Sequence, residues 1–182
     1  MTIALLNCYN SSQAVIEGLS YINNEPWVLI LNEHNINWNI TLNPELSTFS
    51  DTFNQKVVIF TNTKSWNITW ADPRINVIAL RNNDIFDTLR IYGIYLSPNL
   101  KSNIPEYRRV INLIHEKIRG HGNQRCVIGG DVNTDSPICS NHFERRFDGI
   151  IENTFTHLKL ISAVNRTTEI GKSTRLMVNH IG

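Results

Sequence analysis

The residues best suited to chemistry lie where apolar runs stop. In Val127-Ile128-Gly129-Gly130-Asp131-Val132-Asn133 an apolar run meets two glycines, then a carboxylate and an amide with one residue between them. The pattern predicts a short buried strand over residues 126–128 and a tight turn at the two glycines, which bend at the least steric cost. Alternation then puts Asp131 and Asn133 on one side, aimed into whatever cleft lies past the strand end. Together they could position a water and donate to a phosphate oxygen; the plain alternative is an Asx turn. Glu33 follows the apolar run 27–31. A carboxylate there suits Mg2+, which takes few protein oxygens and leaves room for water and substrate phosphate. Asn7 closes the run that opens the chain, where a polar side chain needs a hydrogen-bonding partner or forms a turn. Tyr95, in Ile94-Tyr95-Leu96-Ser97-Pro98, could bring a hydroxyl to a phosphate or simply pack. Each is weak alone. Strand ends of one sheet gather on one edge, however, so four of them together point to a cleft.

The elements that must position these residues follow from periodicity. Strands are expected over residues 2–8, 27–31, 57–61, 66–70, 75–80, 89–96, 126–128 and 176–181, with a short apolar piece at 158–161. A first helix is expected after Ser11 or Ser12, stopped by Pro26. A second runs from Pro105 to Gly120, with Tyr107, Val110, Ile111, Ile114 and Ile118 on one face. A third is expected over 143–155, and the polar stretch 34–54 reads as irregular. Two strand–helix–strand units separated by a run of strands predict an α/β (α+β) layered sandwich rather than a doubly wound sheet.

Bulk properties narrow the class. At 182 residues, 41% hydrophobic and 18% charged, the chain has the make-up of one globular domain with a sizeable core. A net charge of +1 provides no global field toward nucleic acid, so any such contact must be local. The runs around Arg108, Arg109, Lys117, Arg119, Arg145 and Arg146 read as solvated helix faces. Cys8, Cys126 and Cys139 are an odd set without metal-ligand spacing and read as reduced packing residues. The opening residues lack the pattern of a signal peptide and no apolar run is long enough to span a membrane, so a nuclear or cytoplasmic protein without a membrane partner is expected. Among the histidines only His34, beside Glu33, is placed to face a cleft.

Leu6-Asn7-Cys8, Leu31-Asn32-Glu33, Ile94-Tyr95-Leu96-Ser97-Pro98 and Gly129-Gly130-Asp131-Val132-Asn133 resemble, in order and spacing, the motifs of the endonuclease/exonuclease/phosphatase superfamily. The nearest likeness is to the apurinic-like endonuclease domain of non-LTR retrotransposons. The resemblance runs from residue 2 to about residue 180, and its most specific piece is Gly-Gly-Asp-Val-Asn. It implies a four-layer α/β/β/α sandwich of two packed mixed sheets. It also implies Glu33 as the principal Mg2+ ligand with Asn7 beside it, Mn2+ being the substitute ion. Asp131 would orient the attacking water, while Asn133 and Tyr95 would contact the scissile phosphate. The implied reaction is a nick in DNA that leaves a 3′-hydroxyl, and a reverse transcriptase domain encoded downstream is the implied second partner.

Departures from the pattern set further expectations. The late Ser-x-Ile-Asp element is matched by Met177-Val178-Asn179-His180, which puts Asn179 at the catalytic Asp position and removes its charge. The closing Ser-Asp-His has no intact counterpart, so the single domain over 1–182 is expected to be incomplete at its C-terminus, with terminal strands missing. Asn32 stands where the family has Gln. The alternatives to a nicking endonuclease are an inactive remnant with weak DNA binding, and an abasic-site nuclease or small phosphoesterase of the same superfamily.

Overall fold

All six residues of the strand Trp27–Asn32 are buried, so both faces of that strand are covered. Its alternate residues serve two different cores. Val28 and Ile30 pack with Val57, Ile59, Ile78, Leu80, Ile91 and Val127. Leu29 and Leu31 pack instead with Val58, Phe60 and Cys8, and against these lie Ala14 and Leu19. A two-residue period with both phases apolar is what a sheet sandwiched between layers requires.

The computed structural model describes residues 2–11, 13, 14, 16, 19, 27–34, 47–50, 56–82, 89–121, 125–133, 160–162 and 174–179. Its strands are β1 (Thr2–Asn7), β2 (Trp27–Asn32), β3 (Ser47–Ser50), β4 (Val57–Thr61), β5 (Trp66–Asp72), β6 (Val77–Asn82), β7 (Leu89–Tyr95), β8 (Arg125–Asp131), β9 (Leu160–Ser162) and β10 (Thr174–Asn179). An α-helix, α1, spans Ile104–Arg119 behind a short 3-10 turn at Pro98–Ser102, and Gln13, Ala14, Ile16 and Leu19 are helical between β1 and β2. The strands form a four-stranded sheet in the order β1-β2-β4-β3 and a six-stranded sheet in the order β5-β6-β7-β8-β10-β9. Both sheets are mixed: β1 is parallel to β2 and β7 to β8, while the other pairs are antiparallel.

The helix α1 forms where its sequence asks for one. Asn103 caps it, accepting the Glu106 N–H at 3.2 Å, and a proline stands in the first turn. Its stripe of Tyr107, Val110, Ile111, Ile114 and Ile118 packs on Tyr92, Ile94, Cys126 and Ile128, the outer face of the six-stranded sheet. Helix, sheet, sheet and helix therefore stack in four layers, the α/β/β/α arrangement that the resemblance implies.

Two local expectations need correction. A strand, β3, lies within the stretch read as irregular; its four residues pair antiparallel with β4, so backbone bonding to a neighbour made it, not its own short polar pattern. The second concerns Gly129 and Gly130. Rather than turning there, β8 continues through both to Asp131. Gly130 is needed for close approach: a Cβ would stand 1.9 Å from the carbonyl oxygen of Ile94 on the paired strand. The expected helix over 143–155 lies outside the described residues.

Candidate active site

Four strands carry apolar residues toward the inter-sheet core until their last position, and there each places a polar one. On β1, Ile3 and Leu5 face the core and Asn7 follows in the same phase. On β2 the series is Val28, Ile30 and Asn32; on β7 it is Ile91, Gly93 and Tyr95; on β8 it is Val127, Gly129 and Asp131. Because β1 and β2 run parallel, as do β7 and β8, all four ends meet at one edge of the sandwich.

There the two sheets are joined by side chains. Asn7 Nδ2 donates to Asp131 Oδ2 at 2.7 Å, from β1 to β8. Asn32 Nδ2 donates to the Ile94 carbonyl at 3.0 Å, from β2 to β7. The Tyr95 hydroxyl donates to Glu33 Oε1 at 2.6 Å. Asp131 is 4% exposed, and a carboxylate so buried needs donors. It has them: Asn7 on one oxygen and the Asn133 N–H, at 2.8 Å, on the other.

The backbone of this edge is unusual. Glu33 and Asn133 adopt φ of 50° and 49°, and Tyr9 and Asn10 adopt 48° and 61°. The fifth described non-glycine residue with positive φ, Asn76 (51°), accepts the Tyr95 N–H at 2.9 Å and so borders the same place. Such conformations cost energy and persist where surroundings enforce them, typically at functional sites. Here the enforcement is visible. Cys8 N–H donates to Asn32 O (2.8 Å), Asn10 N–H to Glu33 O (2.6 Å), Glu33 N–H to Lys56 O (3.0 Å) and Tyr9 N–H to Asn7 Oδ1 (3.0 Å).

Electrostatics follow from burial. The Tyr95 phenol is held well above its ordinary value of 10.0, first by burial and next by its bond to Glu33; the Asp131 charge adds to this and a hydrogen bond with Asn133 opposes it. Tyr95 therefore stays a proton donor, with Glu33, Asn133 and Asp131 around its hydroxyl. Cys8 is pushed up to about 12 by burial and then by Glu33, and so remains an inert thiol. His34, fully buried, is lowered to about 4 by burial and then by Lys56, and remains neutral.

Of the residues predicted from sequence, Asn7, Glu33, Tyr95, Asp131 and Asn133 come together. Asn133 arrives differently from the expected alternation. Its positive φ ends the strand, its N–H closes the Asx turn on Asp131, and its Nδ2 donates to the Leu96 carbonyl at 2.6 Å. Turn and cleft residue are one feature rather than two alternatives. Asn179 is not brought in. In the antiparallel register of β10 on β8, Thr174 pairs with Asp131 and Val178 with Val127, so Asn179, five residues beyond Thr174, lies roughly 17 Å of strand away, toward the far edge. Matching the late motif by residue type ignored strand direction; the β10 position beside Asp131 is Thr174. Sequence reading also missed Lys56, whose Nζ lies 3.8 Å from Glu33 Oε1. Nothing local in the sequence marks it, because only the antiparallel pairing of β2 with β4 carries it there.

No family model and no curated protein matches this sequence. Solved structures do match in shape. The endonuclease domain of TRAS1, a telomere-specific non-LTR retrotransposon, superposes with a TM-score of 0.65 at 13% identity over 95% of this chain and 82% of that one. An AP endonuclease from Archaeoglobus fulgidus gives 0.58 at 13% identity over 98% and 85%. An endonuclease/exonuclease/phosphatase family protein from Leptotrichia buccalis gives 0.54 at 11% identity over 98% and 87%. With two packed mixed sheets, flanking helices and this edge, the chain has the endonuclease/exonuclease/phosphatase fold.

Proposed function

We propose that the chain is a metal-dependent phosphodiesterase that nicks DNA, of the retrotransposon type. The observation that carries the reading is the bridging of two carboxylates, one beside each sheet, by neutral donors at a single edge: Glu33 by Tyr95, and Asp131 by Asn7 and Asn133. The donors fit a hard cation. Mg2+ takes one or two carboxylates and keeps several waters. Glu33 offers Oε2, which takes no hydrogen bond among the described residues, and the Asn7 amide oxygen and Asp131 lie on the same edge. Among the described residues no group of three or more His, Cys, Asp or Glu comes together. Mn2+ has the same oxygen preference.

When bound, the ion supplies charge stabilisation to the departing oxygen. The chain's own residues supply the rest. Asp131, fixed by its two donors, orients and deprotonates the attacking water. Asn133 would present the second hydrogen of its amide to the phosphate, and Tyr95 would present its hydroxyl on turning from Glu33. Glu33 and Asn7 hold the metal. Retrotransposon endonuclease and AP endonuclease neighbours support a nucleic-acid phosphodiester as substrate. A nick leaving a 3′-hydroxyl would prime a reverse transcriptase, the partner this reading assigns.

Three substrates test it. Supercoiled plasmid should be nicked in Mg2+ or Mn2+ and spared in chelator, with a duplex carrying an abasic site cleaved no faster than an intact one and a phosphomonoester untouched. Preference for the abasic duplex would make it a repair nuclease. Inertness toward all three in every divalent metal would leave the fold without the activity.

A further inference from the structure

The register that pairs Asn32 with Val57 starts β4 at the edge where β2 ends, and so delivers Lys56 to Glu33. The backbone link between Glu33 N–H and Lys56 O fixes the approach. The ammonium stands 3.8 Å from Glu33 Oε1 and 5.4 Å from the centroid of the Tyr95 ring. That oxygen already accepts the Tyr95 hydroxyl at 2.6 Å, so the ion pair is the looser of its two contacts. The Lys56 side chain keeps 34% of its surface exposed, so its head can swing outward at little cost.

Glu33 and Asp131 bring two negative charges, Lys56 one positive, and His34 none. The metal-free site is therefore negative by one unit, and a divalent ion makes it positive by one. Without Lys56 the loaded site would be neutral and would offer an anionic phosphodiester no net attraction. We propose that Lys56 is a substrate-binding residue that serves as the counter-ion of Glu33 until metal arrives, then passes to a non-bridging oxygen of the substrate phosphate. This rests on the phosphodiesterase reading given above. It adds a competition: the same ammonium weakens metal binding and strengthens DNA binding.

The two effects have opposite signs, which a merely structural lysine would not produce. Mn2+ binding to the full chain, measured without DNA by electron paramagnetic resonance, should be about twofold to fivefold tighter in Lys56→Met, the span expected for losing a partly exposed neighbouring charge. Affinity for a short duplex in Ca2+ should fall about tenfold in the same variant, and Lys56→Arg should return both toward wild type. Circular dichroism and Lys56→Arg guard against misfolding. Unchanged or weaker Mn2+ binding in a folded Lys56→Met overturns the proposal, as does unchanged duplex affinity. Neither arm uses turnover. A wild-type protein that shows both effects yet nicks nothing keeps the Lys56 assignment and loses the catalytic reading; a wild type that binds neither Mn2+ nor duplex overturns both.

Discussion

Among the described residues the two edges of the sandwich are both polar, yet they differ in charge and in backbone. At the edge where β2 begins and β4 ends, Thr61 Oγ1 donates to the Trp27 carbonyl (2.9 Å) and Trp27 N–H to Asn62 Oδ1 (2.9 Å). Trp66 Nε1 there donates to Thr63 Oγ1 at 3.0 Å. Those partners are neutral, their backbone is unstrained, and their bonds satisfy groups that strand ends leave over. At the other edge, a buried carboxylate, a partly buried one, an ammonium and five left-handed residues converge. Polar strand ends alone mark where a sheet stops. Charge held against desolvation, on a backbone that other bonds force into shape, marks a site.

The largest way to sharpen that contrast is Asp131→Ala, which should cut the nicking rate by about 10³-fold, within the range for losing a positioned general base; single-turnover nicking measures it. Gly130→Ala strikes the scaffold rather than the chemistry. Its Cβ would meet the Ile94 carbonyl at 1.9 Å, so urea unfolding should show a loss of about 3 kcal/mol. Tyr95→Phe keeps the ring in the core and removes the donor to Glu33; nicking should fall roughly tenfold or more with little change in thermal midpoint.

Acid sensitivity should separate the edges too. His34 has a folded value of about 4 against 6.5 for the free side chain, so folding favours its neutral form. The sign follows: its stabilising contribution is complete above pH 6.5 and disappears as pH falls from there toward 4, on the order of 2 to 3 kcal/mol in all. Urea titrations across that window should slope for wild type and flatten for His34→Gln. The smallest effect belongs to the quiet edge. Thr61→Val should cost about 1 kcal/mol of stability and leave nicking untouched.

How much of this was legible depended on how local each cause is. The apolar phase of β1, β2, β7 and β8 is written residue by residue, so the strands, their polar ends and the layered fold could be read directly. Asn7, Glu33, Tyr95, Asp131 and Asn133 were singled out that way, and they share one edge. Lys56 was not, because pairing between β2 and β4 is a long-range fact. Asn179 stands apart from those residues for the same reason: an antiparallel partner reverses which end of a motif reaches the edge. Asn32 read as a departure from the family pattern, yet its amide closes the sheets together on the Ile94 carbonyl. Gly129 and Gly130 read as a tight turn. The cause at Gly130, a neighbouring carbonyl, belongs to another strand.

The central claim is that the charged edge is a working metal-dependent phosphodiesterase site. Nicking of supercoiled plasmid by the full chain, with wild type beside Asp131→Ala, tests it most directly. The account predicts nicked circles with wild type in Mg2+ or Mn2+, none in chelator, and almost none with the variant. Nicking that survives Asp131→Ala, or a folded wild type that leaves the plasmid intact in every divalent metal, would contradict it.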